Sequence, residues 1–137
     1  MENLSDSLNT LELQMIGAAV VLGILQLLLG SVAARTQQGY DWGMGPRDEA
    51  SPISGVPARL QRAFYNYMET FPMFVAAMLA AVLLGKTGTL TEVGGFVYLG
   101  GRIVFIPLYA AGVKRFRTIA WVVALGGLCA VSAAILS

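Results

Sequence analysis

From Met15 to Ala34 the chain reads MIGAAVVLGILQLLLGSVAA, an uncharged run of about 20 residues, enough helix to cross a hydrocarbon core about 30 Å thick. That run constrains the fold more than any other feature, because it dictates a membrane span. A signal peptide is the rival reading, since Ser31 and Ala33 resemble a cleavage site. The preceding segment, MENLSDSLNTLELQ, is acidic and holds no Lys or Arg, the wrong flank for such a peptide. Composition agrees with a membrane domain: of 137 residues, 56% are hydrophobic and 12% charged, against about 25% charged in soluble domains.

Three further spans follow, giving one all-α domain over 1–137, an integral membrane four-helix bundle with spans at about 15–34, 63–85, 93–113 and 119–136. The second apolar stretch, Phe71 to Gly85, amounts to only about 22 Å of helix, so the polar residues before it must enter the membrane. Arg35, Arg47, Arg59 and Arg62 surround the first connection and Lys114, Arg115 and Arg117 the last. By the positive-inside rule both basic connections face the cytoplasm and both termini face outward. The first connection, RTQQGYDWGMGPRDEASPISGVPA, has Gly and Pro to break helices, Tyr40 and Trp42 at headgroup level, and Pro57 suited to a first helical turn.

Several chemistries are excluded. The net charge is +1 with no basic stripe, so no nucleic acid partner is expected. There is no histidine, which removes imidazole-bound haem, histidine-centred zinc and Ser-His or Cys-His nucleophiles. Neither metal nor haem is expected. Cys129, the one cysteine, lies in an apolar run and reads as a small packed hydrophobe. Thiol chemistry would therefore need a sulfur brought by a ligand.

In the second span Arg59, Arg62, Asn66 and Glu69 fall within an arc of roughly 80°, and the same face continues through Met73, Ala76, Ala77 and Ala80. This stripe is expected to look into the bundle. In the third span Tyr98, Arg102, Phe105 and Tyr109 repeat the pattern. Glu69 and Arg102 lie at matching depth, which predicts an ion pair between helices, since an unpaired charge there is costly. Pro72 and Pro107 sit beside these residues and are read as bends that belong to packing.

A structural reading, with snorkelling arginines and one buried pair, accounts for Arg59, Lys114 and Arg115. Arg62, Asn66, Glu69, Arg102, Tyr109 and Arg117 exceed what one pair requires and point to a binding site. Guanidinium groups with one carboxylate suit a small zwitterion carrying excess negative charge. Glutathione fits, and charge complementarity also admits other peptides or an amphipathic anion.

The motif RxxRAxxNxxE, here Arg59, Arg62, Ala63, Asn66 and Glu69, followed by TFPMF, resembles the hallmark of the MAPEG proteins, the membrane-associated proteins of eicosanoid and glutathione metabolism. VYLGGRIVFIPLYAAGVKRFRT, with Arg102, Tyr109 and Arg117, is similar to the third helix and following turn of that family. The resemblance implies a homotrimer with glutathione bound between subunits near the cytoplasmic side, in a chain of bacterial inner-membrane type. Arg62, Asn66, Glu69 and Tyr109 would hold the peptide and Arg102 would brace Glu69. Arg117 would be catalytic, with Arg115 next in line, and Arg35 would come from the adjacent subunit. Phe105 departs from the pattern, standing where several eukaryotic members have a polar ring, and the first connection is longer.

A fixed cation lowers the pKa of a thiol, ordinarily about 8.5, so an arginine there favours the thiolate. The implied function is a glutathione transferase or peroxidase acting on a lipophilic electrophile or lipid. A non-catalytic glutathione- or lipid-binding protein is the alternative. A small multidrug exporter fits less well: the first span offers only Gln26 at its middle, and Glu12 lies near its outer end. Gly126, Ala130 and Ala134 read as a helix-packing seam. GGFVYLGG is unlike a nucleotide loop, and Trp121 reads as an interfacial anchor, with a wall for the second substrate as the lesser alternative.

Overall fold

The computed structural model describes residues 10–137; the acidic residues 1–9, read above as a flank, lie outside the described part. Four helices are long and apolar enough to cross a membrane: α1 (Leu11–Gln38), α3 (Gly55–Leu83), α4 (Thr89–Ala110) and α5 (Lys114–Leu136). A short helix, α2 (Tyr40–Met44), lies in the first connection. No strand occurs among the described residues. The four-helix membrane architecture expected from hydropathy is therefore present.

Local chemistry sets the helix ends. Thr10 caps α1, its Oγ1 accepting from the Leu13 amide at 3.4 Å, as N-cap residues do for otherwise unpaired donors. α3 begins at Gly55, so the whole polar motif is helical and Pro57 falls in the first turn. α3 and α4 both stop in Schellman turns. Gly85 (φ 67°) and Gly112 (φ 75°) adopt the left-handed conformation. The Lys86 and Val113 amides reach back to the Ala81 and Leu108 carbonyls at 2.8 and 3.0 Å. For that reason α4 ends at Ala110, short of the Val113 limit drawn from hydropathy.

Three contacts between ends define an up-down-up-down order. The Thr91 hydroxyl at the start of α4 donates to Glu12 Oε1 at the start of α1, at 2.6 Å. Lys86 Nζ, between α3 and α4, donates to the Ile135 and Ser137 carbonyls at the end of α5, at 2.9 and 3.0 Å, where a cation complements the helix dipole. On the opposite side Arg59 Nε, early in α3, donates to the Ala110 carbonyl ending α4, at 2.8 Å. Glu12, expected near the outer end of the first span, is buried there rather than solvated.

The core gathers Met15, Ala19, Tyr67, Phe74, Met78, Tyr98, Leu128 and Val131. Phe74 and Tyr98 stack with centroids 4.2 Å apart, and Tyr67 donates its hydroxyl to the Ala19 carbonyl. α4 and α5 approach most closely at Gly94 and Gly127: a Cβ added at Gly127 would meet the Gly94 oxygen at 2.5 Å. This corrects the seam expected at Gly126, which is exposed and has open space around it; the buried line runs through Ala120, Ala124, Gly127, Val131 and Ala134. Outward-facing Val21, Leu25, Leu28 and Val32 of α1 are more than half exposed, as suits a helix solvated by lipid chains.

Candidate functional site

The core-facing positions of α3 are Ala63, Tyr67, Thr70 and Phe74. Asn66 sits at the edge of that face, half-buried, whereas Arg62, Glu69, Met73 and Ala76 are exposed. The expectation that the polar stripe looks into its own bundle is thus corrected. It lies along the outer flank of α3, because large side chains at 67 and 74 claim the interior and turn Glu69 about 130° away from it.

Arg102 is the buried polar centre, only 1% exposed. Its Nη1 donates to Asn66 Oδ1 at 2.8 Å, and its guanidinium carbon lies 4.5 Å from the Phe105 ring centroid and 5.4 Å from that of Tyr67. Nε and Nη2 are buried without a hydrogen-bond partner. The expected ion pair with Glu69 is not formed among the described residues. Glu69 acts on the guanidinium only through space, since Asn66, about 60° nearer the core, reaches it first.

From Arg102 a ladder of cations and rings leads to the turn between α4 and α5. Phe105 packs against Tyr109 with centroids 5.3 Å apart, tilted by 59°. The Arg117 guanidinium stands 4.5 Å from the Tyr109 ring centroid. Ala63, Phe105 and Ala120 form a small core under this ladder, with Leu108, Tyr109 and Trp121 against it. Trp121 is therefore packed into the site rather than being only an interfacial anchor. Phe105 is buried and forms part of the wall around Arg102, a role that needs a π face and no hydroxyl. Arg115 is exposed, whereas Arg117 is half-buried.

Of the sequence-derived site residues, the structure joins Asn66, Arg102, Tyr109 and Arg117 through contacts. Arg62 and Glu69 lie on the adjoining surface of α3. Arg35 stands apart, engaged in its own chain: Nη2 donates to Gln38 Oε1, and the guanidinium faces Trp42 at 5.5 Å. Its sequence context places Trp42 at the headgroup level. In the structure it also faces Arg47 at 5.4 Å and donates Nε1–H to the Glu49 carbonyl at 2.8 Å. No local signal marks that cluster, because its partners arrive by chain reversal. Among the described residues no group of His, Cys, Asp or Glu could hold a metal ion.

Four spanning helices around a buried, ring-lined guanidinium beside the polar flank of α3 define an integral membrane protein with a buried polar centre. The chain belongs to the MAPEG family, whose family model matches residues 15–137, nearly its whole length. Comparison with curated proteins gives no match.

Proposed function

We propose that the protein is a membrane glutathione transferase or peroxidase, working as a homotrimer in which each site opens at a subunit boundary. The observation that carries this reading is the polar flank of α3. Arg62 and Glu69 are exposed on a membrane-spanning helix, beside a buried Arg102 with two unpartnered nitrogens. Charged groups at such depth face protein or a polar cavity rather than lipid. A neighbouring subunit together with a charged ligand would meet that requirement.

The residues fit glutathione. Arg62 suits one of its carboxylates, Glu69 its ammonium, and Asn66 and the Tyr109 hydroxyl its amides. Arg102 braces Asn66 and supplies positive charge from beneath. Arg117 beside Tyr109 is the cation for the sulfur, in preference to the solvent-turned Arg115. Arg35, with Nη1 unpartnered beside its contacts to Gln38 and Trp42, would be contributed to the site from the adjacent subunit. Arg117 stabilises the thiolate, whose proton passes to water. The sulfur then bonds to an electrophilic carbon as the bond to its leaving anion breaks, or to a peroxide oxygen as the O–O bond breaks and an alcohol is released. In the second case the resulting sulfenic acid is converted to disulfide and water by a second glutathione. The lipophilic partner would reach the site from the bilayer. A bacterial inner membrane with the site toward the cytoplasm is the setting that agrees with the basic connections.

The test is to add glutathione to the purified protein and follow thiolate absorbance in the ultraviolet, with and without Arg117→Ala. A band that persists well below about pH 8.5 is expected for the native protein, and its midpoint should move upward in the variant. Binding without a band would favour a non-catalytic glutathione-binding protein. Absence of binding would remove the proposal.

A further inference from the structure

Arg35, assigned above to the site of the adjacent subunit, is framed by the connection that follows it. Residues 39–54 fold back over the end of α1. Gln37 exchanges two hydrogen bonds with Ser54, each 2.9 Å. Gln38 Nε2 donates to the Ser51 carbonyl at 2.6 Å, which leaves the amide oxygen turned toward Arg35 Nη2, its donor.

The returning segment closes on the guanidinium from another side. The Trp42 ring centroid lies 5.5 Å from Arg35 Cζ, and the ring is tied through Nε1–H to the Glu49 carbonyl at 2.8 Å. Gly43, the next residue of α2, packs where no side chain fits: a Cβ there would overlap Arg35 Nη1 and come within 2.9 Å of Cδ and Cζ. Arg47 secures both residues. It donates Nε and Nη2 to the Gly43 carbonyl at 3.0 and 2.8 Å and stands 5.4 Å from the Trp42 ring centroid. To do so its backbone takes φ 60°, a left-handed conformation unfavourable for a side chain of this size.

This framing exceeds what an arginine at a helix end requires. Such a side chain reaches headgroups or water unaided, and immobilising it costs rotamer freedom. Here Nη2 has Gln38, the Trp42 ring stands against the guanidinium, and Nη1 is buried with no acceptor. A buried guanidinium N–H left unpaired is costly, so the acceptor is one that a ligand brings. Arg35 borders a cavity of about 380 Å³ whose lining includes Gln26, Gln61, Phe64 and Tyr65. Asp41, Asp48 and Glu49 belong to the returning segment, yet none lines it, so none stands in for the carboxylate of a ligand.

We propose that Trp42 and Gly43 are positioning residues for glutathione binding: they set the Arg35 guanidinium to receive a carboxylate of the peptide held at the adjacent subunit. The inference rests on the function proposed above. Neither residue touches the peptide; both act through Arg35. Guanidinium pairs with a carboxylate through two parallel N–H donors, which demands a defined plane. A ring beside the guanidinium and an amide oxygen at its edge define that plane before the ligand arrives. Such pre-organisation strengthens binding by removing an ordering cost. The sulfur is left to Arg117, so Trp42 and Gly43 govern affinity and not thiolate formation.

Calorimetry of glutathione binding by the full-length protein in detergent tests this. Gly43→Ala is the most direct variant, since alanine suits a helix and the added methyl meets only the end of a flexible arginine. It should weaken binding roughly tenfold, the scale of one charge-assisted hydrogen bond, and Trp42→Leu should do the same. Trp42→Phe, which keeps an aromatic face, should regain most of the loss. In an Arg35→Gln background Gly43→Ala should add nothing further, because its effect runs through the arginine. Helix content by circular dichroism and the midpoint of thiolate absorbance should stay native throughout. Native affinity in Gly43→Ala and Trp42→Leu overturns the proposal, as does a loss that persists undiminished in the Arg35→Gln background. An upward shift of the thiolate midpoint with Gly43→Ala would put the effect on the sulfur and also overturn it. In each of these cases glutathione binding by the native protein leaves the proposed reaction standing; a native protein that binds no glutathione removes both.

Discussion

A guanidinium buried to 1% exposure with a single hydrogen bond is held by what surrounds it more than by any partner. The rings of Phe105 and Tyr67 contribute the remaining favourable contacts around Arg102. Removing the lone acceptor should therefore be worse than removing the charge. Asn66→Leu strands a buried cation and is expected to cost about 3 kcal/mol, whereas Arg102→Met replaces the cation by an apolar chain of similar length and should be nearly neutral for stability. Denaturant unfolding of the purified protein in detergent checks the order; a more stable Asn66→Leu than Arg102→Met would show that Asn66 is not what holds the guanidinium. Tyr109→Phe keeps the ring under Arg117 and should leave stability unchanged. It should weaken glutathione binding by about 1 kcal/mol, the value of one hydrogen bond, measurable by calorimetry.

Among the elements, α4 and α5 make the tightest pair, and two glycines allow it. Without Cβ atoms at Gly94 and Gly127 the backbones come close enough for van der Waals packing and weak hydrogen bonds to hold helices that gain nothing from hydrophobic burial in lipid. Gly127→Leu forces them apart and should destabilise the fold by about 2 kcal/mol or more. Gly126→Leu, one residue away but facing outward with nothing within 4 Å, should cost little. A lower unfolding midpoint for the first variant only is the expected result. α3 is different: its outer flank carries the polar stripe, so its packing within one chain is incomplete on the side of the proposed site.

Across the whole molecule, the described chain is a thin bundle whose exposed surface includes both lipid-like faces and charged groups. A single copy in a bilayer would leave Arg62 and Glu69 in or beside hydrocarbon. The proposed trimer removes that conflict, and light scattering of detergent-solubilised protein, corrected for bound detergent, should give three chain masses. A monomeric mass together with intact glutathione binding would mean that a site forms within one chain and that the flank is met by lipid headgroups or water.

Hydropathy and helical periodicity made much of this legible in the amino-acid order alone. The spans, the shared face of Arg62, Asn66 and Glu69, and the match in depth to Arg102 all follow from a fixed rise and rotation per residue. Periodicity says which residues share a face but not where that face is aimed. The orientation was decided by the bulk of Tyr67 and Phe74, which took the interior and put Asn66, not Glu69, beside Arg102. The choice of Gly127 over Gly126 has the same origin, in a rotation of about 100° that only the neighbouring helix can set. The cluster around Trp42 was out of reach, because Arg35, Arg47 and Glu49 meet it only after the chain turns back on itself. Sequence determined the membrane, the helices and the supply of charged groups; tertiary packing decided which of those groups meet, since contacts depend on how whole helices rotate to fill space.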